Sequence, residues 1–281
     1  MRIEFTKMHG CGNDYIYVDC INGAEPEDPG ALSAAMSKRH SSVGADGLVL
    51  ICPSEVADAK MRMFNLDGSE GLMCGNAIRC VGKYLYDNGI VDKTEITVET
   101  RSGIKTLSLL VGDGTVKEVT VGMGHASFAA ADVPVICDGG EFIDGAVSVA
   151  GREWKLTCVS MGNPHAVTFV DDVQSLELER IGPLFENHEM FPQRVNTEFA
   201  RVIDEKTIEM RVWERGSGET FACGTGACAT VAAAVRLGLC CAGVPVTVRL
   251  RGGELTVTVC EDRSVLMTGG AAKVYEGVYE Y

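Results

Sequence analysis

The chain has 281 residues, 46% of them apolar and 23% charged, with a formal net charge of −14, which suits one large or two smaller globular domains. That acidic balance argues against a nucleic-acid ligand, because holding phosphates needs a basic surface. No apolar run reaches the length of a membrane-spanning helix, and the start, MRIEFTKMHGCGND, alternates like a strand without the apolar run of a signal peptide, so a cytoplasmic protein with no membrane partner is expected.

After the opening strand, Gly12-Asn13 leads into the strand-like Tyr15-Ile16-Tyr17-Val18 and then Asp19. A helix is expected near 30–40 and a strand over 47–51. Around Cys74 the chain reads MFNLDGSEGLMCGNAIRCVGKYLYDNG. A short apolar strand enters a polar Gly/Ser turn, Glu70 precedes Cys74-Gly75, and a helical run stops at Gly89. Strands are expected at 95–99 and 116–121. The stretch from Gly124 to Gly151, with Pro134 and several glycines, is expected to bridge two units. Strands follow at 155–160, 199–203 and 207–213. The segment RVWERGSGETFACGTGACATVAAAVRLG then carries Glu219, Cys223-Gly224 and a helix over 225–237 that is apolar nearly all round and stops at Gly238. Strands at 245–250 and 254–259 complete the pattern.

The two halves repeat. Glu70-x3-Cys74-Gly75 matches Glu219-x3-Cys223-Gly224 at an offset of 149 residues, and Gly12-Asn13 matches Gly162-Asn163 at 150. Two motifs at nearly one offset indicate two copies of one α/β unit.

The chain has twelve cysteines but no Cys-x-x-Cys pair and no His-Glu-x-x-His, so no metal site is expected. No Gly-x4-Gly-Lys-Ser/Thr or Gly-x-Gly-x-x-Gly phosphate loop is present either. Most of these cysteines read as buried apolar thiols, but Cys74 and Cys223 each stand just before a helix. A helix N-terminus presents unpaired N–H groups and partial positive charge, which favours a thiolate and binds carboxylates. Two such motifs supply an acid, a base and a held carboxylate. Inverting a carbon next to a carboxylate needs that set, because one proton leaves one face and another arrives on the opposite face. No electron-sink cofactor is then required.

At these residues the sequence resembles the diaminopimelate epimerase family. The resemblance is carried by KMHGCGNDY (7–15), RHSSVGADGLVL (39–50), FNLDGSEGLMCGNAIRC (64–80), MGNPHAV (161–167), VNTEFARV (195–202) and RVWERGSGETFACGTGACA (211–229). It implies cofactor-independent and metal-independent interconversion of LL- and meso-diaminopimelate, in lysine and peptidoglycan precursor biosynthesis. Cys74 and Cys223 would be the acid/base pair. Gly75, Asn76, Gly224 and Thr225 would hold the reacting carboxylate through backbone N–H groups. Asn13, Asn65, Asn163, Asn196, Glu214 and Arg215 would bind substrate, and His165 and Glu214 would tune the thiols. The residue types suit a long zwitterion: arginine forks onto a carboxylate, and asparagine both donates and accepts. Loops also favour Asn13, Asn65 and Asn163 for their own reasons. Two positions depart from the family pattern. Gly47 replaces a glutamine found in some members, so no side-chain contact is expected there, and Gly270 replaces a common proline, with an effect expected only on a loop.

The implied fold is α/β (α+β), with two pseudo-symmetric domains, each a barrel-like, mainly antiparallel sheet wrapped around a central helix. The first would comprise 1–124 plus 269–281 and the second 125–268, with the active site in the cleft between them. The expected partner is a small-molecule substrate, with no nucleic acid and no membrane; a homodimer is left open. Two other readings remain at this stage. One is a proline-, histidine- or phenazine-pathway racemase or isomerase on the same scaffold, which would leave Asn65, Asn196 and Arg215 unpaired. The other is a non-enzymatic thiol protein acting as a redox sensor or metal binder.

Overall fold

The structure, a computed structural model, describes residues 2–281. Alternation in the first segment gives β1 (Arg2–Gly10), which turns through Cys11 and Gly12, both at positive φ, into antiparallel β2 (Asn13–Asp19). Helix α1 (Pro29–Met36) is capped by Asp28, whose Oδ1 accepts from Ala31 N at 2.9 Å. β3 (Gly47–Cys52) then runs parallel to β2, and β4 (Ala59–Asn65) runs antiparallel to β3. The short β5 (Glu70–Gly71) folds back on β4 and delivers the chain to α2 (Gly75–Asp87). β6 (Glu95–Thr100) pairs in parallel with β4 and antiparallel with β7 (Gly103–Gly112), which pairs with β8 (Thr115–His125).

The second half repeats this order. β9 (Gly145–Val149) and β10 (Arg152–Ser160) form a hairpin, and β11 (Pro164–Phe169) follows antiparallel to β10. After α3 (Leu178–Glu186), β12 (Asn196–Asp204) lies parallel to β11, and β13 (Thr207–Glu214) antiparallel to β12. β14 (Gly218–Glu219) folds back on β13 and leads to α4 (Gly224–Arg236). β15 (Val246–Leu250) is parallel to β13 and antiparallel to β16 (Gly253–Val259). β17 (Ser264–Gly270) and β18 (Ala272–Glu280) end the chain, and β18 pairs antiparallel with β1.

The repeat extends to the register. Tyr15 opposes Gly47 across β2/β3, and His165 opposes Asn196 across β11/β12. Phe64 opposes Glu70 across β4/β5, and Trp213 opposes Glu219 across β13/β14. Both parallel pairings recur in each half, so the strand pairing of each half is mixed, with antiparallel pairs in the majority.

Two compact units result. One runs up to Val121 and takes back Thr268–Tyr281; the other is Gly122–Met267. In the first, α2 packs on β1, β2 and β7, burying Ala77, Ile78, Val81 and Leu85. In the second, α4 packs on β10, β11, β12 and β16 and is buried along almost its whole length, from Gly224 to Ala234 apart from Thr225. Its alanines let strands approach it from every side. The outer helices cover a second layer. Leu32 and Met36 of α1 join Phe5, Ile16, Leu48 and Phe64, while Phe185 of α3 packs edge-on against Trp154 and Phe199 with ring centres 5.2 Å from each.

Several places differ from the sequence expectation, which has no strands at 103–112, 264–270 or 272–280. Residues 178–186 form a helix where none is expected, with Gly182 and Pro183 inside it. A Cβ at Gly182 would fall 2.2 Å from the Trp213 ring, so that glycine serves close helix–sheet packing. The 124–151 stretch does more than connect, since it contains β9, which pairs with β10. Gly270 is the last residue of β17, and its carbonyl accepts from Arg79 Nε at 3.3 Å, so it has a structural partner beyond a loop.

Candidate active site

Each Gly/Ser turn ends in a cysteine that occupies the N-cap of a helix with extended backbone, Cys74 before α2 and Cys223 before α4. The first i→i−4 bonds run from Ile78 N to Cys74 O (3.0 Å) and from Ala227 N to Cys223 O (2.9 Å), so the earlier N–H groups lie ahead of each helical ladder. The approach to both cysteines is pinned in the same way. Arg62 forks onto Glu70 (Nε–Oε1 2.9 Å, Nη2–Oε2 3.3 Å), and Arg211 forks onto Glu219 (2.8 and 3.0 Å). The repeated glutamate before each cysteine is therefore a clamp on the turn.

The surroundings of the two thiols differ in kind. In the first unit, Cys74 is half-buried and its thiol donates to Asn13 Oδ1 at 3.4 Å, where Asn76 Nδ2 also donates at 3.4 Å. Asn13 Nδ2 in turn donates to Asp46 Oδ2 at 2.6 Å. Beneath them Arg79, fully buried, donates to Gly75 O (3.1 Å) and Asn76 Oδ1 (3.0 Å). A buried guanidinium thus braces the first turn of α2. Burial pushes the Tyr15 phenol well above its usual range, and the neighbouring Cys74 and Asp46 act in the same direction.

In the second unit, Cys223 is buried among carboxylates. Its sulfur accepts from Gly226 N at 3.3 Å and lies 3.5 Å from Thr225 Oγ1. Burial pushes the Cys223 thiol well above its ordinary value. The charges of Glu214 and Glu198 add to this, and the Thr225 hydroxyl and Gly226 N–H only partly offset it. The helix terminus therefore does not make Cys223 a thiolate, contrary to the expectation from its position; desolvation and two carboxylates win. Burial likewise raises Glu214, against the lowering influence of Thr220, Cys223 and His165. Thr220 Oγ1 donates to Glu214 Oε1.

Asn163 Nδ2 donates to Thr225 Oγ1 at 3.2 Å, and its Oδ1 lies 3.0 Å from His165 Nε2. His165 Nδ1 is 2.7 Å from Glu198 Oε1. Cys223, Thr225, Asn163, His165 and Glu214 thus form one cluster with Gly224, the first residue of α4. Asn196 and Arg215 stand beside it. Asn196 Nδ2 donates to Pro164 O (2.9 Å), its Oδ1 accepts from Arg215 N (2.9 Å), and the Arg215 guanidinium donates to Gln193 O (2.9 Å). Asn65 closes its own turn, donating to Ser69 Oγ at 3.0 Å. At Gly47 a Cβ would lie 2.1 Å from Phe64 O, so this backbone admits no side chain there.

Sequence reading did not single out Arg79 or Glu198. A charged residue inside an apolar helix or strand pattern reads as a solvent-facing position, and only the fold turns it inward.

The diaminopimelate epimerase family model matches residues 5–129 and 157–274, across both cysteine motifs. The chain belongs to the diaminopimelate epimerase family. Curated relatives named diaminopimelate epimerase include those of Acetivibrio thermocellus, 54% identical, covering 98% of each chain, and Methanococcus maripaludis, 52% identical, covering 98% of this chain and 99% of the relative. Among solved structures, a phenazine biosynthesis protein of the PhzF family from Bacillus anthracis has a TM-score of 0.72 at 20% identity over the whole of both chains. A hydroxyproline epimerase from Agrobacterium vitis, with trans-4-hydroxy-L-proline bound, has a TM-score of 0.70 at 16% identity over 99% of this chain and 91% of that one. At these identities the structural likeness establishes the fold. Family membership rests on the sequence match, and with it the chain is an isomerase of the epimerase type.

Among the described residues no helix is long and apolar enough to cross a membrane, and no group of three or more His, Cys, Asp or Glu side chains is placed to hold a metal.

Proposed function

We propose that this protein epimerises LL-2,6-diaminopimelate to the meso isomer, with Cys74 and Cys223 as the proton acceptor and donor at one α-carbon. The observation that carries this reading is the duplicated helix-capping cysteine, set in two chemically unlike environments within a chain of this family. The raised Cys223 enters the cycle as a thiol and is the donor, so Cys74, once the proton it shares with Asn13 Oδ1 has left to solvent, takes the proton of whichever isomer presents its α-hydrogen to it. In the reverse direction the roles exchange.

The remaining residues follow from the charge that develops. Removing the α-proton drives negative charge onto the substrate carboxylate. The backbone N–H groups of Gly75, Asn76, Gly224 and Thr225, at two helix N-termini, suit that anion. Arg215 suits the distal carboxylate. Asn13, Asn65, Asn163 and Asn196 offer amide donors and acceptors to a zwitterion, with Asn196 also holding the Arg215 backbone. His165 and Glu214 tune Cys223, Glu214 by keeping its proton on until the carbanion needs it. A proline-type substrate has no second amino-acid end and would offer the Arg215 guanidinium no distal carboxylate.

The test is conversion of LL-diaminopimelate by the pure protein with no added cofactor. Cys74→Ser and Cys223→Ser should each lower kcat by about 10²–10⁴-fold, the usual worth of a general acid or base, with the fold intact by circular dichroism. Full activity in either variant would overturn the paired role.

A further inference from the structure

Glu198, on β12, is fully buried, and the reaction as described gives it no task. Its Oε1 meets His165 Nδ1 at 2.7 Å, and its Oε2 has no hydrogen-bond partner. A lone carboxylate in that position would be costly, since a buried charge needs a partner for each oxygen. The packing nevertheless makes room for it. A Cβ at Gly226 would come within 2.7 Å of Glu198 Oε1, so a glycine in the first turn of α4 admits the carboxyl group.

A chain of contacts links Glu198 to the sulfur of Cys223. It runs from His165 Nε2 to Asn163 Oδ1 (3.0 Å), from Asn163 Nδ2 to Thr225 Oγ1 (3.2 Å), and from Thr225 Oγ1 to Cys223 Sγ (3.5 Å). The protons along it can be counted. An amide nitrogen only donates, so Thr225 Oγ1 accepts from Asn163 and its own proton is left for the sulfur. An amide oxygen only accepts, so His165 Nε2 carries a proton. The Nδ1–Oε1 contact needs one proton more, on either atom. The His165–Glu198 pair then has no net charge, whichever atom holds that proton, and a buried pair with an unpartnered oxygen favours neutrality. With the Asn163 amide turned over, His165 would present a bare Nε2, Glu198 would be an uncompensated carboxylate, and the Thr225 proton would point at Asn163 and away from the sulfur.

We propose that Glu198 is a positioning residue for the proton donor: it holds His165 with a proton on Nε2, which fixes Asn163 and, through it, aims the Thr225 hydroxyl at Cys223. When Cys223 gives its proton to carbon, the thiolate left behind meets two donors already in place, Thr225 O–H and Gly226 N–H. This rests on the reading of Cys223 as an acid/base group.

The wild-type test is nitrogen-15 NMR of the whole enzyme labelled at histidine, with the His165 signals identified by their loss in His165→Gln. The expected result is a protonated Nε2 at neutral pH; a bare Nε2 overturns the proposal. This measurement needs no activity, so it stands even if the roles assigned to the cysteines fail. Kinetics supply the second arm. Glu198→Gln can still donate to Nδ1 and keeps the chain with a neutral imidazole, so kcat should stay within about threefold of wild type. Glu198→Leu removes the bond and should lower kcat about tenfold or more with KM little changed, the loss expected for a hydrogen bond to a charged group. Equal damage in both variants, or a fully active Leu variant, overturns it; if the Leu variant fails to fold, the NMR result decides.

Discussion

The two halves share strand order, register, a helix-capping cysteine and an Arg–Glu clamp, yet they bury opposite chemistry beneath the thiol. Under Cys74 lie amides and the guanidinium of Arg79; under Cys223 lie Glu214, Glu198 and His165. At the position matching Arg79, offset by 149, the second half has Cys228, and at the position matching Tyr15 it has His165. An epimerase benefits from this contrast. The proposed reaction removes a proton with one thiol and adds one with the other, and the unlike groups beneath the two helices suit that division of roles.

The contrast can be broken at several points. The largest effect is expected for the clamps. Arg211 and Glu219 are nearly buried, with side chains 12% and 7% exposed, whereas Arg62 and Glu70 are each 27% exposed. Arg211→Met should cost about 3 kcal/mol of stability, because Glu219 keeps Arg251 at 3.1 Å but the carbonyls of Val173 and Leu176 lose their donor, and Arg62→Met about 1 kcal/mol or less. Chemical denaturation of both variants measures the difference, and equal costs would show that the clamps are equivalent. Next comes the first helical turn, where Ala77 matches Gly226. Gly226→Ala should overpack Glu198 and cost about 1–3 kcal/mol, with lower kcat. Ala77→Gly should cost about 1–2 kcal/mol, from backbone freedom and the loss of a buried methyl group, with kcat nearly unchanged. The smallest effect is a shift of a pH limb. Cys223 is raised first by burial and then by Glu214 and Glu198, so the donor proton is lost only as pH rises above the ordinary thiol range. Glu214→Gln removes one of the raising charges and should move the alkaline fall of kcat/KM to lower pH; an unmoved limb would assign the shift to burial and Glu198 alone.

Much of the frame was legible because it repeats. The Cys-Gly and Gly-Asn offsets, the glycine stops and the alternating strands needed no tertiary information, and the helices at 75–87 and 224–236 lie where the glycines and apolar runs put them. The cysteines stood out for the same reason. What was illegible depends on packing. Helix α3 carries Gly182 and Pro183, residues that helices disfavour, and only the nearness of Trp213 explains the glycine. Glu198 lies just before the strand expected at 199–203, and nothing local shows that it faces His165 and the first turn of α4. The position of Cys223 at a helix start suggested a lowered thiol, but burial and two carboxylates from distant segments reverse the sign. Local sequence reports the helix field; it does not report the charges the fold brings beside it.

The account turns on two separate thiols acting at one carbon, and isotope transfer tests that directly. A thiol carries a single proton, so the hydrogen taken by Cys74 is not the one delivered by Cys223. With LL-diaminopimelate in D2O, the first meso product should carry deuterium at the inverted carbon while the remaining LL substrate stays protiated. Early products that retain the original hydrogen, or deuterium appearing equally fast in recovered substrate, would contradict it.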